Sequence, residues 1–347
     1  MRTLSASLFE KRTRGFPFLL GVLVSVAPSF AAEGPAKSKL EDHLKQLQYD
    51  AIPFKMHEGN KPVIKGELGN GKKTVFLMDT GWGMTTLNTK TAAQLKTLGQ
   101  LGVEIEDSMM GRLTNPAIVL VEDLKLGRAR FLNQPARVEK LRMDFLSLAY
   151  EGILGCDFFC RNFCLIDCIA GRLYVRASKR SAQQSEVLET SLRRSGYVEV
   201  PARPKLPLII GAKANEKPVN LLVDTGGFVS VLDDSQVARL SLRFVKDQRR
   251  DMIPDDLGGR MIGMGKIGAH EFRVTKLKTF EVGSREWRNT SFGVGSLKSW
   301  RLEEAAAPEE DLHGILGMDL LVSHEALIDF SSLKVWLRPE SKSPAKK

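Results

Sequence analysis

Two aspartates in this sequence sit in the same local setting. Asp79 ends the apolar run Phe76-Leu77-Met78 and is followed by Thr80 and Gly81. Asp224 ends Leu221-Leu222-Val223 and is followed by Thr225 and Gly226. Each run reads as a buried strand. Glycine after Asp-Thr lets the backbone turn where a side chain would clash. Each carboxyl is therefore delivered at a strand end, on a tight loop. One Asp-Thr-Gly is a weak signal, whereas two in matched context are a specific one. Two carboxyls held about 3 Å apart cannot both ionise cheaply, so such a pair shares a proton. It can take one proton from a bound water and donate another, which hydrolyses a carbonyl bond without metal, cofactor or covalent intermediate.

The two loops belong to a longer repeat. A shift of 145 residues aligns Gly66 with Gly211, Asp79 with Asp224, Leu87 with Leu232 and Leu95 with Leu240. Downstream, Gly152-Ile153-Leu154-Gly155 matches Gly314-Ile315-Leu316-Gly317 at an offset of 162, followed by Leu165-Ile166-Asp167 and Leu327-Ile328-Asp329. The second half thus carries 17 more residues between its blocks. A period this long, present twice, indicates duplicated domains rather than a solenoid.

This pattern resembles the aspartic peptidases, and within them the short retropepsin-like lobes, here fused in one chain as in pepsin-like enzymes. The resemblance covers residues 48–176 and 196–338 and implies a mainly β, bilobal fold with short helices. It implies an endopeptidase with Asp79 and Asp224 as the catalytic pair and a peptide or protein as substrate. It also implies that Thr80 and Thr225 hydrogen-bond across the lobes, and that Gly81 and Gly226 donate N–H groups to the carboxylates. Ile153-Leu154-Gly155 and Ile315-Leu316-Gly317 match the segment that packs beneath each loop. Met109 to Leu141 falls where the family places its flap. Trp82 and Gly227 occupy a position that is usually small or hydroxylated in the family. Trp82 is expected to wall a substrate subsite, with Gly227 opposite. Cys156 and Met318 stand where retroviral lobes carry Arg, and neither flap region contains Tyr. These departures leave an alternative, an impaired lobe pair that binds extended peptides by strand addition. Asp157 and Asp319 read as helix N-caps, and Asp167 and Asp329 as structural residues.

The remaining features bound the setting. Length and composition suit two ordinary globular domains. Residues 1–31 read as a signal peptide: Lys11, Arg12 and Arg14, then an apolar stretch, then Ser29-Phe30-Ala31. Export to the periplasm or outside the cell is expected, with membrane association only if the signal is kept. The net charge is +10, of which +3 lies in residues 1–31, leaving +7. The basic residues are dispersed without aromatic interleaving, which speaks against nucleic acid. Residues 32–47 carry Leu40, Leu44 and Leu47 at helical spacing and read as a docked surface helix or a propeptide over the cleft. Residues 177–195 read as a linker, 284–313 as the extra length in a surface loop or short helix, and 339–347 as a basic tail; a monomer is expected. Cys156, Cys160, Cys164 and Cys168 leave free thiols, one or two disulfides, or a four-thiolate metal site open. The five histidines form no metal-ligand spacing, so no metal is expected. Gly263 to Gly268 fits a dinucleotide glycine pattern, but β-rich sequence follows where a helix is needed.

Protein recovered from outside the cytoplasm is expected to begin near Ala32 on N-terminal sequencing. An intact Met1 in the membrane fraction would defeat that expectation.

Overall fold

In the computed structural model, the described residues are 35–57, 60–100, 104–107, 111–114, 116–141, 150–200, 202–203, 206–245, 273–297 and 311–338. The signal segment, the Gly263–Gly268 pattern and the basic tail lie outside them. No helix among the described residues is long and apolar enough to cross a membrane.

Each half closes a six-stranded barrel. In the first lobe the strands run Lys61–Leu68, Lys73–Met78, Gly152–Leu154, Thr86–Asn88, Ala129–Glu139 and Ala117–Leu126, the last pairing back to the first. In the second the order is Ile209–Ala214, Lys217–Val223, Gly314–Leu316, Val231–Asp233, Arg285–Gly295 and Arg273–Val282. Matched positions occupy matched strands, as the duplication requires. Alternation along these strands sends one set of side chains into the barrel. Phe76 and Met78 go inward in the first lobe, and Leu221 and Val223 in the second.

A six-stranded sheet joins the lobes. Its centre is the antiparallel pairing of Leu165–Asp167 with Leu327–Asp329, in which Ile166 faces its own repeat partner Ile328. This pairing places an approximate two-fold axis between the lobes. Strands Arg172–Val175 and Asp50–Pro53 extend the sheet on one side, and Lys334–Leu337 and Val198–Val200 on the other. Strand alternation divides its residues. Ile166, Leu173, Val175, Ile328 and Val335 join the barrel cores. Leu165, Tyr174, Leu327 and Trp336 face the other way.

Two helices cover that outer face. α1 (Pro35–Gln46) contributes Leu40 and Leu44, with Leu47 just beyond its end. Of the two expectations for this segment, the docked helix is found, seated on the sheet that joins the lobes. The linker is mostly helical, which its polar composition hid. After α2 (Thr89–Ala92) and α3 (Cys156–Arg161), α4 spans Ala182–Arg194. Ser181 and Gln184 form a reciprocal capping box at its start. Leu188 and Leu192 pack with α1 on the sheet. Just before α4, buried Arg180 pairs with buried Asp329 and donates to the Tyr49 hydroxyl. The ion pair ties the segment between the lobes to the second lobe, and Tyr49 anchors the N-terminal strand.

Two local readings are corrected. Thr89–Leu98 reads in the sequence as one short helix, but the helix ends at Ala92, and Lys96–Gln100 is an edge strand. Within 284–313, Arg285–Gly295 is not extra length but an eleven-residue barrel strand, the counterpart of Ala129–Glu139. Its cross-strand ladder with Arg273–Val282 outweighs its polar, loop-like composition. All four cysteines are free thiols. Cys156, Cys164 and Cys168 are buried, and Cys160 is half-buried.

One buried histidine makes stability depend on pH. His324 follows helix α5 (Met318–Ser323) and stacks on Trp287 with ring centroids 4.0 Å apart. It is 4% exposed, and burial pushes its pKa down to about 4. The unfolded chain therefore takes up a proton near pH 6.5 that the folded chain refuses until about pH 4. Stability is lost as pH falls through that window, by about 2–3 kcal/mol. The repeat partner of His324 is Asn162, whose amide donates to the Phe158 carbonyl at 2.8 Å. His324→Asn is expected to lose less stability than the parent between pH 7 and 4.5 in urea unfolding. Equal losses would show that His324 does not titrate in this way.

Candidate active site

The two Asp-Thr-Gly loops meet where the lobes join. Asp79 follows strand Lys73–Met78, and its N–H donates to the Leu154 carbonyl at 3.0 Å. Asp224 follows strand Lys217–Val223, and its N–H donates to the Leu316 carbonyl at 3.1 Å. Each Ile-Leu-Gly segment is thus the strand that fixes the depth of one loop. Its terminal glycine allows this: a Cβ on Gly155 would lie 2.7 Å from the Trp82 carbonyl oxygen.

The threonines lock the loops together. Thr80 N–H donates to Thr225 Oγ1 at 3.1 Å, and Thr225 N–H to Thr80 Oγ1 at 3.0 Å. Each hydroxyl then donates onward, Thr80 to the Val223 carbonyl at 2.7 Å and Thr225 to the Met78 carbonyl at 2.8 Å. Both threonine side chains are fully buried. The N–H and hydroxyl of each threonine are all used across the lobe boundary.

This lock presses each aspartate against the opposite glycine. A Cβ on Gly81 would lie 2.7 Å from Asp224 Cγ, and one on Gly226 would overlap the Asp79 carboxyl. The two carboxyls hydrogen-bond each other. Asp79 Oδ1 accepts from Gly81 N–H at 2.9 Å and Trp82 N–H at 3.0 Å. Asp224 accepts from Gly226 N–H at 2.8 Å and also from the N–H groups of Gly227 and Gly81. Burial raises the Asp79 pKa well above the usual carboxylate range, and the neighbouring Asp224 raises it further. Burial raises Asp224 too, but the Asp79 hydrogen bond and then the backbone N–H groups of Gly227, Gly226 and Gly81 oppose the rise. Asp79 is therefore the more strongly raised carboxyl of the pair.

Further residues hold this frame in matched pairs. The Asp157 carboxylate accepts from Thr85 N–H and hydroxyl, both at 2.7 Å, and Asp319 accepts from the Ser230 hydroxyl at 2.7 Å. These aspartates are not N-caps. The caps are Gly155 and Gly317, without side-chain bonds. The carboxylates instead reach back from the first helical turn to the far end of each Asp-Thr-Gly loop. Sequence reasoning missed Thr85 and Ser230, although they share the 145-residue offset. Cys156 fills the position of the family arginine, and its thiol donates to the Thr80 carbonyl at 2.8 Å.

The expected subsite residues behave differently. Trp82 is 4% exposed, and its indole N–H donates to Thr86 Oγ1 at 2.8 Å. Its ring packs with Leu77, Leu141, Tyr150 and Ile153, so it fills space in the first lobe rather than walling an open pocket. Burying the large ring, with its one donor satisfied, is favourable enough to turn it inward. Gly227 supports Asp224 through its N–H, and its carbonyl accepts from Met318 N–H at 2.7 Å. Among the described residues, no three His, Cys, Asp or Glu side chains converge as metal ligands.

Two closed barrels, a joining sheet and paired Asp-Thr-Gly loops define the bilobal aspartic proteinase fold. The solved aspartic proteinase from Irpex lacteus superposes with a TM-score of 0.51, over 86% of this chain and 99% of that one, at 13% identity. The sequence profile of the aspartyl protease family matches residues 64–158 and 210–320, more than half of the chain. The chain belongs to the aspartyl protease family. No curated protein matches the sequence significantly.

Thr80→Val would strip the Val223 carbonyl and the Thr225 N–H of their partners. At about 1–3 kcal/mol for each buried orphan, the variant is expected to lose about 2–5 kcal/mol in denaturant unfolding. Thr80→Ser, which keeps the hydroxyl, is expected to lose less than about 1 kcal/mol. Similar losses in both would mean that the methyl, not the hydroxyl, holds the loops.

Proposed function

We propose that this protein is an exported aspartic endopeptidase in which Asp79 and Asp224 activate a water against a peptide bond. The carrying observation is the contact between the buried Asp79 carboxyl and the half-buried Asp224 carboxyl, each braced by backbone N–H groups. The ionised Asp224 takes a proton from a water seated between the carboxyls. The water oxygen bonds to the peptide carbonyl carbon, while Asp79 donates its proton to the carbonyl oxygen. This gives a neutral tetrahedral diol, and the carboxyls have exchanged roles. Asp224 then passes its proton to the amide nitrogen, Asp79 recovers one from the diol, and the C–N bond breaks. The pair ends as it began, having consumed one water. Burial supports the scheme, because proton transfer between the carboxyls needs no solvent reorganisation.

Export rests on the signal-like residues 1–31. A second reading, a peptide-binding protein of the same fold, draws on Trp82, whose bulk follows the first loop where relatives carry a small residue.

Asp79→Asn and Asp224→Asn are each expected to abolish nearly all cleavage of a peptide library, with the double variant little worse, because the pair acts as a unit. The rate is expected to be bell-shaped in pH, with both limbs belonging to the pair. A folded Asp79 with a raised pKa costs stability as pH rises above the unfolded value, so Asp79→Asn is expected to melt higher than the parent at pH 7. A single variant that keeps near-normal turnover would overturn the dyad. A wild type that binds peptides but cuts none would support the binding reading.

A further inference from the structure

One set of matched positions sets the two halves of the site apart in bulk and charge. Leu77 and Asp79 share a face of their strand, because alternate residues point the same way. The cluster around Leu77 therefore flanks Asp79. It comprises Leu77, Trp82, Leu141, Tyr150 and Ile153. The cluster around Leu222 flanks Asp224 and includes Val231, Leu297, Leu312 and Ile315. The two agree in outline, with Leu77 and Leu222, Ile153 and Ile315, and Tyr150 and Leu312 at repeat positions.

They differ where Trp82 stands. Its repeat partner is Gly227. Above the Trp82 ring lies the Arg137 guanidinium, 5.3 Å from the ring centroid, ion-paired with Glu139. Both charges are buried, at 3% and 4% exposure. Strand register identifies their counterparts. Arg137 lies beside Thr86 and Glu139 beside Asn88. In the second lobe Gly293 lies beside Val231 and Gly295 beside Asp233. So Trp82, Arg137 and Glu139 are all replaced by glycine. Val138 and Val294, between these positions, face the core alike. The difference is thus confined to the face that carries the aspartates. Phe228, next to Gly227, is half-buried and borders the second side.

A buried ion pair costs desolvation and is weak support for stability by itself. Here it clamps the Trp82 ring from above, while Thr86 holds the indole N–H from the side. The ring cannot swing aside without breaking both.

We propose that Trp82, clamped by Arg137 and Glu139, plugs the space beside Asp79, whereas the matched positions beside Asp224 carry only glycine. The cleft then takes a small residue on one side of the scissile bond and a bulky one on the other. The proposal rests on the peptidase reading and adds its substrate class: extended peptides with a small–bulky junction. Arg137 is a positioning residue that acts through Trp82.

The test uses the mature protein and two readouts. One is cleavage of a peptide library, read by mass spectrometry. The other is calorimetric binding of non-cleavable peptides with a hydroxyethylene in place of the scissile bond. Wild type is expected to favour a small residue at one flanking position only. Trp82→Leu, and Trp82→Ala if it folds, are expected to raise relative use of bulky residues there at least tenfold, leaving the other side unchanged. Arg137→Ala is expected to relax the same position and Arg137→Lys to restore it. A symmetric preference in wild type, or equal broadening on both sides in Trp82→Leu, would overturn the proposal. If wild type cuts nothing, the peptidase reading fails separately. The binding arm then decides, with one-sided tightening in Trp82→Leu supporting the plug. No change, or no binding by any of these peptides, overturns it.

Discussion

Asp79 and Asp224 are held in contact although both would ionise in water, and most of the architecture serves that contact. Two carboxyls in one dry space repel once both are charged, so they must share a proton or move apart. They cannot move apart here, because Thr80 and Thr225 exchange buried hydrogen bonds across the lobes. They cannot be screened from each other, because the space between them admits only glycine, at Gly81 and Gly226. The raised pKa of both carboxyls follows from this geometry. Holding them together costs stability locally, since the charged forms would be better solvated apart.

The remaining elements act at increasing distance. The Ile-Leu-Gly strands set the depth of each loop, and Asp157 and Asp319 hold the far ends of the loops through Thr85 and Ser230. The barrels make these strands rigid. The joining sheet, with Ile166 against Ile328, sets the axis about which the loops meet. α1 and α4 cover the sheet's outer face, and Arg180, Tyr49 and Asp329 fasten the crossing between lobes. Breaking that buried ion pair would strand a charge, at about 3–5 kcal/mol. A change far from the aspartates can therefore loosen the site.

Two-fold repetition makes departures from symmetry informative. Structural positions agree in kind: Thr80 with Thr225, Gly155 with Gly317, Asp157 with Asp319. Trp82, Arg137 and Glu139, each opposite a glycine, do not. Duplication supplies a symmetric frame that can hold a proton pair, while a peptide is directional. On the proposed peptidase reading, filling one side and not the other would read that direction.

Much of the frame was legible in the sequence because it is locally encoded and written twice. An apolar run, an Asp-Thr-Gly turn and an Ile-Leu-Gly block each follow from short-range sterics and burial, and the 145- and 162-residue offsets paired them. Four things needed the tertiary structure. The polar run 182–194 became a helix because Leu188 and Leu192 found a sheet face to cover. Residues 285–295 became a strand because a partner strand supplied the ladder. Asp157 and Asp319 looked like caps because their loop partners lie 72 and 89 residues away in the chain. Trp82 read as a pocket wall from its place beside Asp79. Its direction was decided by Thr86, Arg137 and the packing around Leu77, since a side chain's orientation depends on contacts that strand register creates and sequence spacing does not express.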